Sequence, residues 1–172
     1  TVGGAGAPGA SNTNVPIVRY AVTLQNPNAI AIADVPNTFA NYNATTGVTP
    51  LNIAPEYKLD AAGYGASADA NDNLRFTTLA SGLATKTFNA VVFDSTAAPL
   101  TVSGAGGGGN VLTVNSGAML FTSTASANGT TVDGFDAITP GAGSSNEFII
   151  TVANNTSASI SPSVAARAGS DG

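Results

Sequence analysis

From Ile17 to Gln25 the apolar residues fall on every second position, with Val18, Tyr20, Val22 and Leu24 on one side and Arg19, Ala21, Thr23 and Gln25 mostly on the other. A period of two belongs to a half-buried β-strand, because successive side chains leave an extended backbone on opposite faces. The same rhythm predicts strands over 29–35, 48–53, 56–60, 74–79, 85–93, 100–102, 111–114, 118–124, 147–152 and 158–164. Pro or Gly, often beside Asn or Ser, interrupts the pattern between most of them, as at Asn26-Pro27-Asn28. No stretch carries a convincing period of 3.6. About ten short strands at this spacing predict an all-β fold, a single-domain β-sandwich or jelly roll over 15–164. A Gly-rich N-terminal arm (1–14) precedes it and a short tail (165–172) follows.

Two stretches share a form: an apolar residue, a small turn with Gly, an extended strand, a polar turn and a short strand. One runs from Leu79 through Phe88 and Phe93 to Val102, the other from Ile138 through Phe148 and Val152 to Val164. Adjacent strands of any β-sandwich produce this rhythm. The sharper reading is a turn and hairpin of the kind used by secreted immunoglobulin-like surface modules.

Composition then removes most catalytic classes. Among 172 residues there are 5 Lys and Arg, 10 Asp and Glu, and no His, Cys or Trp, so charged residues make up 9% against the usual quarter. Without His or Cys there is no imidazole base, no thiolate nucleophile and no ordinary zinc ligand set. The nearby carboxylate pairs, Glu56 with Asp60 and Asp133 with Asp136, do not suit a glycosidase; residues i and i+4 on a strand stand about 13 Å apart. Lys58 and Lys86 lie in no S-x-x-K motif, and Gly104–Gly109 lacks the Lys of a phosphate loop. The chain is therefore read as no enzyme. A net charge of −5 with scattered cations argues against nucleic acid, and no apolar run is long enough for a spanning helix.

Two kinds of residue cluster remain. Asp69, Asn71 and Asn73 place oxygen-bearing side chains at the first, third and fifth positions of a D-x-[DN]-x-[DN] loop, with Asp72 between the last two, the spacing that wraps a hard cation, so calcium is the one candidate cofactor. Leu74 and Ala80 stand where an EF-hand needs Gly and Glu, which excludes that motif. Glycosylation sequons begin at Asn43, Asn128, Asn154 and Asn155. Low charge with abundant Thr, Ser, Asn and Gly points to an extracellular or cell-surface habitat, with a signal peptide already removed before Thr1. The arm has little to bury against the entropy of being fixed, and a neighbouring subunit is the expected holder.

On composition, strand rhythm and arm, the whole chain resembles the small Cys-free β subunits of extracellular filaments joined by donor-strand complementation, such as TasA-like matrix fibres and archaeal bundling pili. The resemblance implies a homopolymer in which a terminal segment of one subunit completes the sheet of the next. It places that donor segment within residues 15–25, with Val15, Ile17, Val18, Tyr20, Val22 and Leu24 as anchors. The expected function is thus a structural subunit of an extracellular filament or pilus-like fibre. The alternatives are a virion surface or decoration protein, and a carbohydrate- or ice-binding module that uses flat rows of Thr and Asn.

Overall fold

The computed structural model of the chain describes residues 1–7, 12–23, 36–123, 127–154 and 156–164. Its first layer is a small antiparallel sheet of β1 (Val18–Thr23), β2 (Thr38–Asn43) and β3 (Gly47–Pro50). Beyond it every strand pairs in parallel. A central sheet holds β4 (Lys58–Leu59), β5 (Leu74–Phe76), β7 (Lys86–Asp94), β9 (Val111–Thr122), β11 (Ala137–Pro140), β12 (Ile149–Val152) and β14 (Ser163–Val164). An outer sheet holds β6 (Ala80–Leu83), β8 (Leu100–Gly104), β10 (Gly129–Asp133) and β13 (Ser157–Ile160). The predicted strand over 29–35 lies outside the described residues.

This pairing overturns the expected all-β sandwich or jelly roll, which is antiparallel. Sheets of parallel strands are the arrangement of α/β proteins, with both faces of the sheet covered. Here, though, from β5 to β10 each strand of the central sheet is followed by a strand of the outer sheet that carries the chain to the next coil. The path is a solenoid in which each coil contacts mainly its neighbours. Lys86 pairs with Leu112, Leu112 with Ile138 and Ile138 with Val164, a step of 26 residues each time. A period-two pattern says which face a residue takes and nothing about the direction of the partner strand, and the expectation failed on that point.

The register also explains the two similar stretches. Ala90, Ala118 and Ile149 occupy one rung position, and so do Phe93, Phe121 and Val152. The likeness is that of coils, each a strand, a polar turn and a strand of the other sheet, and not of hairpins. The best-matched pair is Ala90-Val-Val-Phe93-Asp-Ser95-Thr96 with Ala118-Met-Leu-Phe121-Thr-Ser123-Thr124. Further on, Thr101-Val-Ser-Gly104 matches Thr131-Val-Asp-Gly134. Both glycines are required where these coils stack, since a Cβ on Gly104 would stand 2.5 Å from the Gly134 carbonyl oxygen.

The inward residues of the two parallel sheets form the main core. Phe76, Phe93 and Phe121 lie in register on successive rungs and stack, with centroids 5.7 and 4.7 Å apart. Each is fully buried, a contribution of roughly 1.5–3 kcal/mol per ring from transfer alone. Val91, Met119, Val102 and Val132 fill the space around them. At the start of the solenoid the short helix α1 (Asp60–Ala66) takes the place of an outer-sheet strand beside β6, and its Tyr64 packs on Phe76 and Phe88. Two glycines in seven residues hide this helix from pattern reading.

A second core lies on the opposite face of the central sheet. Val15, Ile17, Phe39, Leu51 and Tyr57 cover Ala90, Val92, Ala118 and Leu120. The N-terminal arm is part of this layer. Val2 and Ile17 exchange backbone hydrogen bonds, and the Gly6 N–H donates to Asn14. The arm is thus held by its own chain, where the sequence had suggested a neighbour; the apolar outer face of the parallel sheet, not foreseen from the sequence, is what holds it.

Phe93→Ala removes the middle of the ring stack and is expected to cost about 3–5 kcal/mol. Urea unfolding checks this against Tyr20→Ala, which alters an exposed ring and is expected to stay within about 0.5 kcal/mol.

Candidate functional site

The acidic loop 69–73 connects α1 to β5 and lies against the arm. Asp72 accepts hydrogen bonds from the Thr13 hydroxyl at 2.6 Å and the Ser67 hydroxyl at 2.7 Å, with the Lys58 ammonium 3.9 Å away. Asp69 accepts from the Asn71 backbone N–H at 2.8 Å, from the Asn71 side-chain amide, and from the Asn14 amide at 3.2 Å. Asn73 turns inward, donating from its side chain to Val15 O and accepting from Asn89. Its backbone N–H donates to Thr13 O. Asp69 and Asp72 therefore accept from protein donors, the Asn71 amide donates to Asp69, and the Asn73 side chain turns away to Val15 O and Asn89. Among the described residues no three acidic side chains converge on one point. Through these bonds the loop fastens residues 13–15 to the solenoid.

A second buried polar group ties the layers together deeper in the fold. Arg75 on β5 pairs with Asp94 on β7 at 2.5 Å, and its other terminal nitrogen donates to Asn37 O at 2.6 Å, so one guanidinium joins two coils to the covering layer. The Tyr57 hydroxyl shares a hydrogen bond with Thr38 and accepts one from the Phe39 N–H. Burial pushes its pKa above the ordinary range.

Other carboxylates among the described residues are likewise acceptors, several of them for donors distant in sequence. Asp60 receives the N–H groups of Thr77 and Thr78, Glu56 that of Asn52, and Asp136 that of Asn110; Asp133 is bonded by the Ser103 hydroxyl. Four of the five cations are similarly engaged. Arg19 reaches the Glu147 carbonyl and carboxylate, Lys58 faces Asp72, Arg75 binds Asp94, and Lys86 donates to Tyr64 O and Gly65 O. Arg167 lies outside the described residues.

Of the proposed donor-strand anchors, Val15 and Ile17 are fully buried in the second core, Val18 and Val22 are half-buried, and Tyr20 is 71% exposed. Leu24 lies outside the described residues. Among the sequons, Asn43 sits at the β2–β3 hairpin with its side-chain oxygen bonded to the Thr45 N–H. Asn128 is half-buried and donates to Ser95 O, Asn154 is exposed, and Asn155 lies outside the described residues.

Two further surfaces stand out among the described residues. On the outward face of the central sheet Thr87, Thr113 and Thr139 stand in register beside a hollow of about 310 Å³ that Asn115 and Gly141 also line. The Thr113 and Thr139 hydroxyls are 3.2 Å apart. The other surface is the far end of the solenoid. Where earlier coils put Phe93 and Phe121, the last full rung has Val152, 48% exposed; where they put Val91 and Met119 it has Ile150, 39% exposed. Phe148, Ala158 and Ile160 pack on the main core from the same end and are only partly buried. Among the described residues β12 and β13 each pair on one side only. No helix of the described residues is long and apolar enough to cross a membrane. Comparison with family models, with curated proteins and with solved structures gave no significant match.

The Asn71 N–H and the Asn14 amide hold the Asp69 pKa below its ordinary value. A depressed carboxylate pKa stabilises the fold above its unfolded value, near 3.9, and that contribution is lost as pH falls through the lower folded value. Acidification below about pH 4 is therefore expected to release the arm first. Protection of the Ile17 and Asn73 amides against hydrogen exchange should fall before that of β7 and β9, and Asp69→Asn should weaken it already at neutral pH. Equal persistence of all four sets of amides in acid would contradict this role.

Proposed function

We propose that this chain is a structural, non-enzymatic module of an extracellular assembly, joined to its neighbours by strands added at open sheet edges. The observation that carries this reading is the asymmetry of the solenoid. One end is closed by α1, whereas the other ends on uncharged strands with core residues facing outward. Soluble β-proteins blunt exposed edges with Lys, Pro, bulges or inward charges, since an unblunted edge is a template for another strand. Terminal repeats of solenoids carry a polar outer face for the same reason. β12 (Ile149-Ile-Thr-Val152) and β13 (Ser157-Ala-Ser-Ile160) contain no charge, and among the described residues after them Pro162 is the one blunting residue.

The polar chemistry of the interior fits a structural role. The Arg75–Asp94 pair and the Asp69 and Asp72 acceptors bind one layer to another. The low surface charge and the extracellular composition fit a densely packed assembly, in which neighbours repel weakly. One observation favours a second reading, the carbohydrate- or ice-binding module. Thr101, Thr131 and Ser159 form a row across three rungs of the outer sheet, spaced by the about 4.8 Å that separates strands.

Association through backbone pairing and apolar contact is insensitive to screening, unlike association between charges. Sedimentation of the purified chain is expected to show assemblies larger than the monomer whose extent is the same at about 0.1 M and about 1 M salt. A monomer at every concentration, or assemblies that dissolve in salt, would overturn the reading.

A further inference from the structure

We infer that the partner at the open end of the solenoid is a second copy of this chain, docked through the same end about a two-fold axis. The inference rests on the structural reading above and adds to it the identity and symmetry of the contact.

The end presents strand edges in both sheets, β12 and the two-residue β14 in the central sheet and β13 in the outer sheet, with the apolar side chains of Ile150, Val152 and Ile160 between the sheets. Its occupant must offer two edges at the same sheet spacing and apolar side chains between. A single extended peptide covers one edge and leaves the other. The eight residues after Val164, Ala-Ala-Arg-Ala-Gly-Ser-Asp-Gly, bring no large apolar side chain to cover Ile150 and Val152. The opposite end of another copy does not match either. There α1 stands in front of β6, and the central sheet finishes in the two-residue strand β4.

The like end of a second copy does match. A two-fold axis along the sheet normal sets β12 against its equivalent and β13 against its equivalent. Both pairs are then antiparallel, the more stable pairing per residue. The strands of this contact carry no charge, so the self-juxtaposition that a two-fold interface imposes brings no like charges together. Because each copy has one such end, the contact closes at a pair, and any longer assembly must grow from that pair through a different surface.

The absence of cysteine makes the test direct. Ser157→Cys and Ser159→Cys place one thiol on the exposed face of β13, and Ala61→Cys places one on exposed α1. A short bis-maleimide is applied to each full-length variant under conditions where the unlabelled chain associates. Covalent dimers from both β13 variants, nothing larger, and monomer from Ala61→Cys are the expected result. Val152→Lys, at an exposed position, should raise the concentration needed for association at least tenfold while keeping the thermal midpoint of the parent. Should that variant unfold, cross-linking alone decides. Cross-links between Ala61→Cys and Ser159→Cys in a mixture would show head-to-tail stacking and overturn the inference. Association without β13 cross-links would overturn it too, leaving the structural reading intact, whereas strict monomers would remove both. Association that strengthens when residues 165–172 are deleted would show that the tail covers the end, and would equally refute a second copy there.

Discussion

Parallel stacking in register is the constraint on which the rest of this molecule depends. Once residue 86 lies beside 112, 112 beside 138 and 138 beside 164, each side chain repeats its environment one coil further on. Phe76, Phe93 and Phe121 then form one continuous column. A buried ring in such a column touches its own coil and the two beside it, so the cost of an unfavourable residue spreads along the axis. Stability accumulates coil by coil, as in other solenoids, and the two ends are the places where it is incomplete.

Both ends, and the flank, follow from that incompleteness. A parallel sheet needs cover on each face. The outer sheet covers one, and the N-terminal layer, with Val15, Ile17 and Phe39, covers the other. The covering layer forms no ladder with the solenoid strands, so it is held mainly by side chains, with the Asn73 N–H to Thr13 O bond beside them. Arg75 reaches from Asp94 to Asn37, and Asp69 and Asp72 hold Asn14 and Thr13. A buried ion pair of this kind contributes little net stability but is costly to break, which makes it better suited to fixing the position of a layer than to strengthening it. At the axial ends α1 supplies cover on one side. On the other, the column that begins with Phe76 finishes on Val152 in the open.

Strand positions were largely legible in the sequence, and their partners were not. The alternation in 85–93 and 147–152 marks β7 and β12 to within two residues. Pairing direction has no signature in that alternation. The 26-residue step was obscured because the coils differ in their excursions. Asn115, Ser116 and Gly117 form a bulge opposite Asn89, and the 3-10 turn Ala142–Ser144 splits the rung of β11 and β12. β6, β10 and β11 fell on no predicted strand; β2, with two Asn among six residues, and α1, with two Gly among seven, went unseen because local propensity opposes the structure that tertiary contacts impose. For the candidate sites, oxygen-bearing side chains at cation spacing are also side chains at hydrogen-bonding spacing. The donors that meet Asp69 and Asp72 in the fold, Asn14 and Thr13, are more than fifty residues away in sequence and could not be read from the loop. The open end was beyond sequence reading altogether, since Ile150 and Val152 have the pattern of any core strand until their rung is known to be the last complete one.

The central claim is the parallel register itself, and a disulfide tests it most directly. Thr113 and Thr139 pair across β9 and β11 with their hydroxyls 3.2 Å apart, and a neighbouring pair on parallel strands falls within the Cα separation of about 4.4–6.8 Å that a disulfide tolerates. The double variant Thr113→Cys with Thr139→Cys is expected to oxidise within one molecule and to raise resistance to urea. Thr113→Cys with Ala137→Cys, two residues out of register, should remain reduced under the same conditions. Closure of the second pair in preference to the first would contradict the register and, with it, the solenoid.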